Sequence, residues 1–88
     1  MIRLNREQVL RLHRLALEET GGMPGLRDNS LLDSALNSPL QTFENRYLYP
    51  SLEMQAARLA FSLIKNQPFI DGNKRIGVLV MLTFLELN

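Results

Sequence analysis

The feature that most narrows what this chain can become is the stretch Asn66-Gln67-Pro68-Phe69-Ile70-Asp71-Gly72-Asn73-Lys74-Arg75, set between two apolar segments. Pro68 cannot continue a helix. The Asp71-Gly72-Asn73 turn suits left-handed backbone, because Gly tolerates positive φ and Asp and Asn accept it better than most residues. Before it, the segment from Ser51 to about Asn66 carries Ala56, Ala57, Leu59, Ala60, Phe61, Leu63 and Ile64. After it, Ile76, Val78, Leu79, Val80, Met81, Leu82, Phe84, Leu85 and Leu87 fill a window long enough for a buried helix. The stretch therefore reverses the chain between two long helices and presents its own residues at one end of the hairpin.

Those residues have a chemical sense. The first N–H groups of the final helix, Gly72 to Arg75, lack intrahelical acceptors and are expected to point into the loop. Together with the positive end of the helix dipole they make an anion site. Lys74 and Arg75 add two full positive charges, and Asp71 supplies a hard oxygen suited to Mg²⁺. These are the parts needed to hold a nucleotide phosphate and its metal. The plainer reading is an ordinary helix start with solvated charges, and composition alone does not separate the two.

The rest of the chain reads as helices with short connections. Residues 5–19 show apolar positions at helical spacing (Val9, Leu12, Ala16 and Leu10, Leu17), with Asn5 and Gln8 placed as a capping box. Gly21 is the expected C-cap, and Pro24 forbids continuation. His13, the one histidine, is expected as a hydrogen-bonded residue at the rim of this helix, remote from the turn. A shorter second helix is predicted to start at Ser30, with Asp33 three residues on, and to stop at Asn37-Ser38-Pro39. Segment 40–50 is expected as a loop with a turn of helix, its Phe43, Tyr47 and Tyr49 anchored onto the core. Ser51 caps the third helix, whose apolar residues cover more than one stripe and require a central position. Gly77 costs up to about 1 kcal/mol in a helix interior and is tolerable where a neighbour packs close. The fold class predicted is all-α, about four helices without a sheet, as one domain over residues 1–88.

Composition excludes several functions. A net charge of +1 gives no general electrostatic case for direct nucleic-acid binding. The absence of cysteine removes disulfide frameworks and Cys-based zinc sites. The first residues lack an apolar signal core, and no uninterrupted apolar run reaches membrane-span length, so a cytoplasmic protein without a membrane segment is the default expectation.

The string from 67 to 75 resembles the signature of the Fic/Doc family, His-x-Phe-x-Asp/Asn-Gly/Ala-Asn-Gly/Lys-Arg, matched here by Phe69, Asp71, Gly72, Asn73, Lys74 and Arg75. Lys74, where most Fic proteins carry Gly, is similar to the Doc (death-on-curing) toxin branch. Gly25-Leu26-Arg27-Asp28 and Leu48-Tyr49-Pro50 also look like Doc sequence, so the resemblance covers nearly the whole chain. It implies a compact helical domain and ATP-dependent phosphorylation of a translation elongation factor. It also implies an antitoxin protein whose disordered tail folds on the toxin. Fic members generally transfer AMP instead.

Carried over by position, Asp71 would bind Mg²⁺, and the backbone donors of Gly72, Asn73 and Lys74 would cradle phosphate. Lys74 and Arg75 would neutralise charge developing in the transition state. One position departs: Gln67 stands where the family's His would act as general base. A glutamine amide takes up no proton at any relevant pH. Losing a positioned base costs about 10²–10⁴ in rate, or about 3–6 kcal/mol of barrier. Three readings result: an impaired Doc-type kinase, a module that binds nucleotide or antitoxin without turnover, or a helical fragment that only self-associates. Related Doc sequences continue with further helices, so this chain is expected to be shorter than the family and to complete itself as a homo-oligomer.

Overall fold

A computed structural model describes all 88 residues. Four helices carry the fold: α1 (Arg6–Thr20), α2 (Asn29–Asn37), α3 (Leu52–Asn66) and α4 (Asn73–Leu87). None of them is long and apolar enough to cross a membrane. The all-α prediction is met, with one local addition. Segment 40–50 holds a small antiparallel hairpin, β1 (Thr42–Phe43) and β2 (Arg46–Tyr47), after a 3₁₀ turn at Ser38–Leu40. Its turn residues Glu44 and Asn45 have φ of 51° and 64°, the geometry of a type I′ turn.

Local chemistry sets most helix ends. Asn5 and Gln8 form the reciprocal capping box, the Gln8 N–H donating to Asn5 Oδ1 at 2.9 Å and the Asn5 N–H to Gln8 Oε1 at 2.8 Å. The Gly21 N–H donates to the Leu17 carbonyl, and the Ser51 hydroxyl accepts from the Met54 N–H. Helix α2 departs from expectation, since its cap is Asp28 rather than Ser30. The Asp28 carboxylate accepts from the Leu31 N–H and the Ser30 hydroxyl, the Ser30 bond being the first cause of a carboxyl pKa below its usual range. A charged acceptor wins the cap, and the serine two residues on serves it.

Helix α3 is central, as predicted, packing on α2, the 3₁₀ turn and α4. The core joins Val9 of α1, Leu32 and Ala35 of α2, Ala56, Leu59 and Leu63 of α3, Phe69, and Ile76, Val80 and Phe84 of α4. Two sets of aromatics lie elsewhere than expected. Phe43 and Tyr47 are exposed, because the hairpin carries them away from the bundle. Phe61 is half exposed on the outer side of α3, where the Arg58 and Lys65 cations pack against its ring. Of the apolar residues on α4, Val78, Leu82 and Leu87 face solvent.

Gly77 sets how closely α3 and α4 approach. A Cβ there would stand 2.8 Å from Ile64 Cγ1 and 3.1 Å from the Ala60 carbonyl oxygen. Alanine is the better helix former by about 1 kcal/mol, yet Gly77→Ala must push a backbone away. We expect the substitution to lower stability by about 1–3 kcal/mol. A thermal melt checks this, and an unchanged or raised midpoint would show that the helices separate without cost.

Candidate functional site

The turn between α3 and α4 is held by hydrogen bonds rather than by apolar packing alone. Gln67 closes α3 in left-handed conformation, φ 50° and ψ 57°, with its N–H donating to the Leu63 carbonyl. A non-glycine residue there costs roughly 1–2 kcal/mol. Arg27 offsets that strain from the preceding connection: its Nε donates to the Gln67 carbonyl at 2.8 Å and its Nη2 to the Asn66 carbonyl at 2.9 Å. The Arg27 and Asp28 N–H groups both donate to the Pro68 carbonyl, and the Ile70 N–H donates to the Gly25 carbonyl. Segment 22–28 thus runs alongside the turn and pairs with it, bridging Leu26 to Phe69.

Within the turn Asn73 acts as a clamp. Its Oδ1 accepts from the Phe69 N–H and its Nδ2 donates to the Phe69 carbonyl, both at 2.9 Å. Gly72 takes φ 76° as the N-cap of α4. The first helical bond is Ile76 N–H to the Gly72 carbonyl, which leaves the Asn73, Lys74 and Arg75 N–H groups without an acceptor in the chain. The expected cradle is therefore shifted by one residue. The Gly72 N–H is already taken by Asp71 Oδ1 at 2.8 Å, while that of Arg75 is free.

Asp71, Lys74 and Arg75 are exposed, and neither cation is paired with a carboxylate. Asp71 Oδ2 accepts from the Met23 N–H at 3.2 Å. Each carboxylate oxygen keeps a lone pair, so a single hard cation fits there, completed by phosphate oxygens as Mg²⁺ commonly is. No group of three or more His, Cys, Asp or Glu residues gathers as an all-protein metal cage.

Gln67 and the residues from Asp71 to Arg75 line one groove of about 1030 Å³ between α1 and α4. One end is polar, formed by Gln67 and Asp71 to Arg75, and Glu19 of α1 brings a second carboxylate to the groove. The other end is apolar, formed by Leu12, Leu15, Val78 and Leu82. A smaller pocket of about 240 Å³, near Arg3 and Asp33, shares none of them.

The structure corrects the placement of His13. It lies in the buried stripe of α1 between Val9 and Leu17, 2% exposed, and not at the rim. Its ring stacks on Phe69 with centroids 3.8 Å apart, and its Nε2 lies 2.7 Å from the Asp71 carbonyl oxygen. Arg27 and the Gly22–Gly25 segment also belong to the site, although in sequence Gly25 to Asp28 carry only a part of the family resemblance and none in the turn. Their signal is a contact across some forty residues, which local periodicity does not carry.

The family model described as "Fic/DOC family" matches residues 3–85. "Toxin Doc" of Mycolicibacterium smegmatis is 40% identical over 85 residues, covering 97% of this chain. The chain spans 63% of that protein's length. No solved structure matches.

The clamp on Phe69 predicts the effect of removing it. Asn73→Ala leaves the basic residues in place but strands the backbone N–H and carbonyl of a buried residue, at a cost of about 1–3 kcal/mol. Urea denaturation of parent and variant checks it. Equal midpoints would mean that the turn holds its shape without the clamp.

Proposed function

Because the chain belongs to the Fic/DOC family, we propose that it forms the nucleotide-binding part of a Doc-like toxin, which transfers phosphate from ATP to a hydroxyl of a translation elongation factor and is silenced by an antitoxin protein. The observation that carries this reading is the end of the groove where three free backbone N–H groups, two unpaired cations and one exposed carboxylate converge. Backbone N–H groups of Asn73, Lys74 and Arg75 bind the anionic end of the nucleotide, and the Lys74 and Arg75 side chains balance charge on the moving phosphoryl group. Asp71 would hold Mg²⁺, which when bound would supply charge neutralisation to the phosphate. The apolar end of the groove takes the remainder of the ligand.

Gln67 shapes the catalytic expectation. Its side chain lines the groove and makes no hydrogen bond within the chain, yet it accepts no proton. His13 does not replace it, because its ring is buried and its Nε2 is engaged by the Asp71 carbonyl. The turn therefore binds with little turnover. That observation also favours the second reading, a non-catalytic module that holds nucleotide or antitoxin.

Calorimetry with MgATP tests the binding half. We expect weak binding by the parent, reduced in both Asp71→Ala and Arg75→Ala; equal affinity in all three would place the nucleotide elsewhere. Gln67→His tests the catalytic half, with phosphate transfer to elongation factor expected to rise by about 10²–10⁴. Retained binding with no transfer in that variant selects the module.

While no nucleotide fills the groove, the exposed Leu15, Val78 and Leu82 along it form an apolar stripe that a second copy would cover. We expect a mass that rises with concentration in light scattering coupled to size exclusion. A monomer at every concentration would remove self-association from the reading.

A further inference from the structure

We propose that His13 is a positioning residue for Asp71, fixing through the backbone the direction in which that carboxylate meets its ligand. The proposal deepens the MgATP reading and rests on it for its ligand arm only. Its starting point is the 2.7 Å contact between His13 Nε2 and the Asp71 carbonyl oxygen. A carbonyl oxygen only accepts, so Nε2 carries the proton and donates. The ring has no freedom to swing away, being 2% exposed and stacked at 13° on Phe69.

Two glycines border this contact. A Cβ on Gly72 would meet His13 Nε2 at an ordinary 3.5 Å, whereas one on Gly22 would crowd Asp71 Oδ2 at 2.9 Å. Both have positive φ, 76° and 116°. The Asp71 peptide is thus gripped from behind by His13, while its carboxylate is gripped from in front by the Met23 and Gly72 N–H groups. Remove the rear contact and the peptide can rotate, carrying the carboxylate with it. Losing a hydrogen bond to a carbonyl shifts a local opening equilibrium by about tenfold.

Two variants separate the donor from the ring. His13→Phe keeps the stack on Phe69 and the buried volume but donates nothing. His13→Gln gives up the stack but places an amide N–H within reach of the same carbonyl. Both are first checked for a cooperative thermal melt.

The ligand-free reading is amide hydrogen exchange at Met23 and Gly72, the two donors to the Asp71 carboxylate. In His13→Phe both should exchange about tenfold faster than in the parent, and in His13→Gln within about threefold of it. Parent-like exchange in His13→Phe overturns the proposal. So does equal acceleration in both variants, which would make the ring rather than the donor responsible.

The ligand arm compares ATP affinity with and without Mg²⁺. The gain from Mg²⁺ should fall in His13→Phe toward that of Asp71→Ala and survive in His13→Gln. A full gain in His13→Phe overturns the proposal. If Asp71→Ala itself keeps the full gain, the MgATP reading fails at this turn, and the exchange rates alone decide the role of His13.

Discussion

The Pro68 carbonyl, which accepts from both the Arg27 and Asp28 N–H groups, is the contact on which the geometry of this molecule turns. Proline supplies no N–H, so the chain at 68 joins its neighbours through its acceptor alone. By taking two donors from segment 22–28, that acceptor fixes where α2 begins, since Asp28 is the cap of α2. It also fixes where α3 ends, since Arg27 then lies within reach of the Asn66 and Gln67 carbonyls. One pairing thus sets the ends of two helices. The left-handed Gln67 persists because the structure around it leaves no cheaper arrangement.

Packing adds the second constraint. The Gly77 contact with Ala60 and Ile64 brings α4 against α3, and the turn between them inherits its position from that approach. The helices could not lie so close with a side chain at 77, so the position of the turn is set in part by one glycine about a turn of helix away. The Arg6–Asp33 ion pair, by contrast, is on the surface and ties α1 to α2 with modest energy. Apolar packing and backbone hydrogen bonds hold the site.

What could be read from sequence follows the range of each interaction. Asn5 with Gln8, Gly21 and Ser51 act within four residues of themselves, so their chemistry was visible without a fold. The Asp71-Gly72-Asn73 turn was visible for the same reason. Asp28 and Ser30 are both cap formers two residues apart, and only the pairing of Asp28 with Pro68 across the molecule decides between them. His13 meets Asp71 across 58 residues, and a polar residue within an apolar stripe signals burial only once its partner is known. Phe43 and Tyr47 were misplaced because a hairpin turning on Glu44-Asn45 lacks the glycine that usually announces one. Phe61 was misplaced because apolar content alone does not say which side of α3 is covered.

The division of labour at the turn explains why one position can differ while the rest matches the family signature. The fold uses the backbone of residue 67: its N–H goes to Leu63 and its carbonyl to Arg27. It makes no hydrogen-bonding use of the side chain, which is exposed to the groove. Asn73 is the opposite case, because its side chain holds Phe69 and its backbone N–H is free for a ligand. A change at 73 therefore reaches the fold, whereas a change at 67 reaches only the chemistry. The same separation leaves the free N–H groups of Asn73, Lys74 and Arg75, and the two cations beside them, independent of which side chain stands at 67.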